Sequence, residues 1–300
     1  SIQPTPIVSF AIKELKCKCG IVLTASHNPK EYNGYKVYWE DGGQIVPPVD
    51  SRLTEEIDKV EYSEIKFKKN KNLIHTLDSS IEKLYVEKSL SFFNKLYSNS
   101  EKNLKIVFTS LHGTSYKLIP NLLKKTGFSE LKLVDKQMIP DGNFTHAKSS
   151  NPEDKLALID AIEIAKKNNS DLVIGTDPDA DRFGIVVKDF DGDFVQINGN
   201  QSMIVLTDFL LSRLQYEKTK SFIASTVVST PMMQKIADKN KVKLILSLTG
   251  FKWIGKMIND FPSLNYICGG EESYGFLAGD FVRDKDCLLY TSPSPRDEAL

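Results

Sequence analysis

Short runs rich in β-branched and aromatic residues alternate with helical stretches along the whole chain. That alternation constrains the fold more than any other feature of the sequence. Strands are expected at Gly20–Leu23, Tyr35–Trp39, Leu104–Thr109, Leu131–Val134, Asp171–Ile174, Phe183–Val187, Phe222–Thr226, Lys243–Ser247 and Asn265–Cys268. Helices are expected at Ser79–Leu96, Tyr116–Lys125, Pro152–Lys167, Asn200–Leu214, Pro231–Asn240 and Phe251–Phe261. Pro152 and Pro231 suit a first helical turn, with Asn151 and Thr230 as caps. The pattern predicts an α/β fold of consecutive domains, mixed sheets flanked by helices with substantial parallel pairing. The polar run S-N-S-E-K-N (98–103) and the Asp-Gly turn of K-D-F-D-G-D-F (188–194) are natural boundaries, giving three strand-and-helix blocks.

The 300 residues suit two or three such domains. Lys+Arg and Asp+Glu balance at 39 each, so no electrostatic argument calls for nucleic acid or an anionic membrane as partner. No run of about 18 apolar residues marks a membrane span, and S-I-Q-P-T-P lacks a charged stretch followed by an apolar core, so no signal peptide is expected. Cys17, Cys19, Cys268 and Cys287 have neither zinc-ligand spacing nor a disulfide framework, which points to a reducing, cytoplasmic setting.

Five polar loops containing Gly or Pro each follow an apolar strand: T-A-S-H-N-P (24–29), S-L-H-G-T-S (110–115), G-T-D-P-D-A-D-R (175–182), L-T-G-F-K (248–252) and G-G-E-E-S-Y-G (269–275). In α/β sheets ligands bind beyond the carboxyl ends of strands. Five loops in that position predict several domains facing one shared cleft.

G-T-D-P-D-A-D-R carries the most chemistry. Asp177, Asp179 and Asp181 alternate, and Pro178 opposes a helix through them. In an extended arc every second side chain faces the same way, so three carboxylates can converge on one hard cation, Mg²⁺ or Ca²⁺. The positions where an EF-hand needs Gly and Glu hold Arg182 and Lys188, which excludes that site. D-F-D-G-D (189–193) reads as a hairpin turn. Mg²⁺ is seldom caged by protein alone and commonly takes phosphate oxygens. A phosphoserine at Ser26 would supply about two negative charges and three acceptor oxygens, with Arg182 neutralising further charge. The adjacent pair Ser26–His27 also has the appearance of a nucleophile and its base. His112, in S-L-H-G-T, is expected to shape a turn.

T-A-S-H-N-P with N-G-Y-K downstream, G-T-D-P-D-A-D-R and G-G-E-E-S-Y-G together resemble the α-D-phosphohexomutase family of phosphoglucomutases, phosphomannomutases and relatives, from about Ser1 to Asp286. The resemblance implies that Ser26 donates and recovers a phosphoryl group, and that Asp177, Asp179 and Asp181 bind one Mg²⁺ together with a phosphoserine oxygen. It implies that Glu271 and Ser273 bind sugar hydroxyls and that Thr249 and Gly250 add sugar contacts. His27, Lys36, Arg182 and Lys285 would surround the transferring phosphoryl group, with Lys36 and His27 both open as general base. The implied reaction interconverts sugar 1-phosphate and sugar 6-phosphate, of glucose or mannose, through a sugar 1,6-bisphosphate. A phosphopentomutase is the alternative, since these motifs are most similar to the phosphoglucomutase/phosphopentomutase-like branch.

By the same resemblance, residues 1–98 would be the C-terminal part of domain I, 99–194 domain II and 195–287 domain III. A fourth domain, which would grip the non-transferred phosphate, is not matched, so weak activity or none is expected of this chain alone. C-L-L-Y-T-S-P-S-P-R-D-E-A-L reads as a disordered or non-native tail. Two other readings compete: a phosphohydrolase with an aspartate nucleophile in D-P-D-A-D, and a non-catalytic sugar-phosphate binding module.

Overall fold

The computed structural model describes residues 2–96 and 103–287, so the expected tail at 288–300 lies outside the described residues. It contains three sheets, one for each block read from the sequence. Helix α1 (Thr5–Glu14) precedes an antiparallel pair, β1 (Cys19–Leu23) and β2 (Tyr35–Trp39), which aligns Leu23 with Tyr35. Helices α2 (Val49–Asp58) and α3 (Ser80–Leu96) follow. The second block comprises β3 (Ile106–Thr109), α4 (Leu118–Lys125), β4 (Leu131–Leu133), α5 (Ile159–Lys167), β5 (Leu172–Thr176), β6 (Phe183–Lys188) and β7 (Phe194–Ile197). Its strand order is β4-β3-β5-β6-β7, parallel on the β4-β3-β5 side and antiparallel from β5 to β7. The third block comprises α6 (Gly199–Arg213), β8 (Ser221–Thr226), α7 (Met232–Asn240), β9 (Lys243–Ser247), α8 (Phe251–Asp260), β10 (Asn265–Glu271) and β11 (Gly275–Ala278). Here β10, β8 and β9 run parallel, and β11 pairs antiparallel with β10.

The central strands β3, β5 and β8 are buried along their whole length, as expected of parallel strands covered on both faces. One apolar cluster runs through all three blocks, joining Phe10 of α1, Tyr85 of α3, Phe108 of β3 and Phe222 of β8. Helix α3 contacts α1, α4 and α6. It therefore connects the three units through its buried Ile81, Tyr85, Val86 and Phe93. Among the described residues no helix is long and apolar enough to cross a membrane.

The expected helix from Pro152 is corrected: α5 begins at Ile159. The carbonyl of Pro152 accepts from the Gln196 side chain at 2.9 Å and lies against the backbone of Gly184, so it is committed outside any helix. Asn151 does not cap α5; its side chain accepts from Glu153 N–H at 3.0 Å in a local turn. Thr230 Oγ1 accepts from Met232 N–H at 3.2 Å ahead of α7. The segment 189–193 is the hairpin turn between β6 and β7, closed by Asp189 N–H on Asp193 O at 2.8 Å. Helices α1 and α2 and strands β7 and β11 have no counterpart among the expected elements.

Candidate functional site

The D-P-D-A-D-R segment is the tip of the β5–β6 hairpin. Thr176 pairs with Phe183, Asp177 N–H donates to Arg182 O at 3.3 Å, and Ala180 N–H donates to Asp177 O at 3.0 Å. Ala180 has φ +61°, and Asp177 Oδ1 accepts from the N–H groups of Asp181 and Arg182, both at 3.0 Å. The three aspartates therefore converge through a closed turn and not through the extended arc that their alternation suggested. One ligand atom from each of Asp177, Asp179 and Asp181 lies within 4.8 Å of the others, and all three residues are buried.

One oxygen of each carboxylate, Asp177 Oδ2, Asp179 Oδ1 and Asp181 Oδ1, is buried without a hydrogen-bond partner. Leaving charged oxygens unsolvated is costly, and three together on hard ligands is a donor set suited to a divalent cation such as Mg²⁺. The remaining oxygens of Asp179 and Asp181 face cations. Lys36 Nζ sits 2.8 Å from Asp179 Oδ2 and 2.5 Å from Asp181 Oδ2, and Lys285 Nζ is 3.4 Å from the same Asp181 oxygen.

Electrostatics divides the cluster. Burial, reinforced by Asp179 and Asp181, pushes the Asp177 carboxyl well up. Burial opposes ionisation of Asp181 too, but Lys285, Lys36 and Arg182 outweigh it and hold that carboxyl far below the usual range. Burial works against the Lys36 charge, yet Asp181 and Asp179 raise its affinity for the proton. Glu271, at the end of β10, is shifted up by burial against the pull of Lys285 and Arg182.

Ser26 reaches this cluster through a residue that the sequence reading did not single out. Thr24 Oγ1 accepts from Ser26 N–H at 2.8 Å and donates to Asp179 Oδ2 at 3.1 Å. Ser26 itself has φ +54°, a left-handed conformation uncommon for a residue with a Cβ, which marks the loop as sterically constrained. Its Oγ lies 3.1 Å from His27 Nδ1, and the His27 carbonyl accepts from Ser150 Oγ at 2.8 Å. Burial and then Arg182 lower the His27 pKa, favouring the neutral ring. A cleft of about 360 Å³ opens here, with Thr24, Ser26, Gly113, Pro178 and Asp179 among its lining residues.

The other loops arrive at the same place. Thr114 N–H donates to Pro178 O at 2.8 Å, and Gly113 packs so closely on Pro178 that a Cβ would come within 2.6 Å. His112 is held by Ile139 O at 2.7 Å and by His146 N–H at 3.1 Å, so both ring nitrogens shape the turn. Arg182 bridges to Gly275 of the third block and pairs with Glu153 at 3.0 Å. Glu271 Oε1 is 3.8 Å from Lys285 Nζ, and Ser273 is on the turn between β10 and β11. Thr249 and Gly250 lie between β9 and α8, and the neighbouring Phe251 ring sits 5.8 Å from Lys285 Nζ. The expected loop 269–275 is shorter than it read, because β10 continues through Gly269 and Gly270 to Glu271.

The structure thus gathers Ser26, His27, Lys36, Asp177, Asp179, Asp181, Arg182, Glu271 and Lys285, and places Ser273, Thr249 and Gly250 at the carboxyl ends of the third sheet's strands. Thr24, Ser150, Glu153 and Asp284 support the site through hydrogen bonds or ion pairs that no local sequence pattern announces.

Family models for phosphoglucomutase/phosphomannomutase alpha/beta/alpha domains I, II and III match residues 1–64, 83–192 and 198–291. A phosphoglucomutase of Staphylococcus epidermidis is 39% identical over 292 residues, covering 95% of this chain and 53% of the relative. A Staphylococcus aureus (strain N315) phosphoglucomutase is 40% identical over 291 residues, covering 95% and 52%. The chain therefore spans about half the length of these curated relatives. Among solved structures, a phosphoglucomutase/phosphomannomutase family protein from Burkholderia thailandensis superposes with TM-score 0.74 at 23% identity, covering 96% of this chain and 58% of that one. An Aspergillus fumigatus N-acetylphosphoglucosamine mutase in complex with glucose 1,6-bisphosphate gives 0.53 at 17% identity, covering 97% and 68%.

Proposed function

Because the chain belongs to the phosphoglucomutase/phosphomannomutase family of α-D-phosphohexomutases, we propose that it carries the phosphoryl-transfer half of a phosphosugar mutase. The proposed reaction interconverts sugar 1-phosphate and sugar 6-phosphate, with glucose as the favoured sugar given the phosphoglucomutase relatives. The observation that carries this reading is the set of three buried carboxylate oxygens without a hydrogen bond at the hairpin tip, one of them 4.0 Å from Arg182 Nε, tied through Thr24 to a constrained serine.

In this reading Ser26 stores the phosphoryl group. Asp177, Asp179 and Asp181 hold one Mg²⁺, which when bound supplies charge neutralisation to the phosphate oxygens. Phosphoryl transfer asks mainly for positioning and electrostatic stabilisation. Arg182, paired with Glu153, and Lys285, between Asp181 and Glu271, would meet the phosphoryl oxygens, a reading their ion pairs around the aspartates support. Lys36 and His27 are the two candidates to exchange a proton with the sugar hydroxyl. His27, neutral and 3.1 Å from Ser26 Oγ, can accept one, whereas Lys36 is held charged by Asp181 and Asp179 and would release a proton only once that pairing loosens. Glu271 and Ser273 would take sugar hydroxyls, with Thr249 and Gly250 at the rim.

A sugar 1,6-bisphosphate is the intermediate that such a cycle requires, since the serine must regain a phosphate each turn; the Aspergillus neighbour was captured with glucose 1,6-bisphosphate. The test is a coupled assay of the full-length gene product with glucose, mannose and pentose 1-phosphates, Mg²⁺ and bisphosphate. Turnover of glucose 1-phosphate that is lost in Ser26→Ala supports the reading. No turnover of any of these sugars rejects it.

A further inference from the structure

Asp284 lies within V-R-D-K-D, where the sequence singled out only the lysine. It is 1% exposed, and its carboxylate accepts three hydrogen bonds: Tyr38 OH at 2.6 Å and Gln44 Nε2 at 2.7 Å on Oδ2, and Lys285 N–H at 2.8 Å on Oδ1. Tyr38 and Gln44 come from the first block and Asp284 from the end of the third, so one carboxylate joins segments 240 or more residues apart.

We propose that Asp284 is a positioning residue for the phosphoryl-transfer site, joining β2 to the segment that carries Lys285 so that two ammonium groups meet on one oxygen of Asp181. The inference rests on the mutase reading above. Lys36 and Tyr38 are two residues apart on β2 and so share a face of the strand. The Tyr38–Asp284 bond therefore sets the spacing between Lys36 and Lys285, the residue next to Asp284. Both ammoniums arrive at Asp181 Oδ2, at 2.5 and 3.4 Å.

Two like charges that close repel, and repulsion in a buried site is screened far less than in water. Asp284 adds a second buried negative charge that favours both ammonium groups. On the other flank of Lys285, Asp286 accepts from Tyr85 OH of α3 at 2.7 and 2.6 Å. Lys285 thus stands between two aspartates, each pinned to a tyrosine of the preceding blocks. Its segment lacks regular secondary structure, and its other ties are Arg283 N–H on Ser9 Oγ at 3.1 Å and Asp286 N–H on Phe276 O at 2.9 Å.

Two variants test this, Asp284→Asn, which removes the charge, and Tyr38→Phe, which removes one pin with little change of shape. The first measurement maps amine labelling of the folded chain residue by residue. Labelling of Lys36 and Lys285 is expected to rise several-fold in both variants, while the exposed Lys18 and Lys59 stay at wild-type levels. The second, on the full-length protein, expects kcat to fall about tenfold or more with KM little changed, the signature of misplaced reacting groups.

Wild-type labelling of Lys36 and Lys285 in Tyr38→Phe overturns the proposal, as does a uniform rise at every lysine, which would mean a purely structural role. Raised labelling with unchanged kcat overturns it as well. If the wild-type full-length protein turns over no sugar phosphate, the mutase reading fails, and the labelling pattern still decides whether Asp284 positions the two lysines.

Discussion

Lys36→Met separates the electrostatic part of this account from the rest. The Lys36 ammonium sits 2.8 Å from Asp179 and 2.5 Å from Asp181, with 16% of its side chain exposed and its partners at 6% and 0%. Removing one member of a buried ion pair leaves uncompensated charge and costs about 3–5 kcal/mol. Methionine keeps most of the apolar stem, so the loss is assigned to charge and not to a cavity. At roughly 2 °C per kcal/mol for a chain of this size, the midpoint should fall by about 6–10 °C in EDTA. The sign of the metal response then reverses the usual expectation for a destabilised variant. With a competing cation gone from Asp179 and Asp181, Mg²⁺ should bind the variant more tightly, and tenfold tighter binding adds about 1.4 kcal/mol of stabilisation at saturating metal. Differential scanning calorimetry across a Mg²⁺ titration measures both effects. An unchanged midpoint in EDTA, or equal Mg²⁺ stabilisation of variant and wild type, would refute the placement of Lys36 as counter-charge to the aspartates.

Other predictions are more local. Thr24→Val deletes the hydroxyl between Ser26 N–H and Asp179 while keeping the shape; it should weaken Mg²⁺ binding by about 1–2 kcal/mol in isothermal titration, and wild-type affinity would count against the bridge. Lys13 of α1, half-buried beside Arg283, has its pKa lowered to about 8 from 10.5, chiefly by burial and then by Arg283. The unfolded chain binds the extra proton between these values, so stability should rise with pH from about 8 to 10.5. Comparison with Lys13→Gln reads this: a wild-type advantage that does not grow with pH across that window contradicts it. Cys268 is buried, with its thiol pushed up to about 12 by burial, whereas Cys19 is exposed. A thiol reagent should therefore label Cys19 in the native chain and Cys268 only on unfolding; native-state labelling of Cys268 would be the wrong result.

The sequence made the sheets legible because buried strands read as continuous apolar runs; Lys243–Ser247 and Tyr35–Trp39 match to the residue. Helix α2 has only the sparse apolar stripe Val49, Leu53 and Ile57 among polar and charged residues, and none of it is buried, which leaves a weak helical signal. Helix α1 was hidden by Pro4 and Pro6, which suggest extended chain but sit at its start, where a missing N–H costs nothing. G-F-L-A starts on the last residue of the glycine-rich loop 269–275 as a short apolar run without alternation, and only pairing with β10 makes it a strand. The alternating aspartates were visible, but the turn that gathers them depends on Ala180 adopting φ +61° and on Asp177 accepting two backbone N–H groups. Likewise Lys36 carried no local sign of its partners, which lie more than 140 residues away. Long-range hydrogen bonds such as Tyr38–Asp284 are set by packing of whole blocks, and neither residue type nor spacing encodes them locally.

The central claim is that Ser26 carries the phosphoryl group beside an aspartate-held cation. Phosphopeptide mapping after incubation with glucose 1,6-bisphosphate and Mg²⁺ tests it most directly. The account predicts acid-stable phosphate on Ser26 that disappears in Asp179→Ala. Hydroxylamine-labile phosphate on an aspartate of D-P-D-A-D, with none on Ser26, would contradict it.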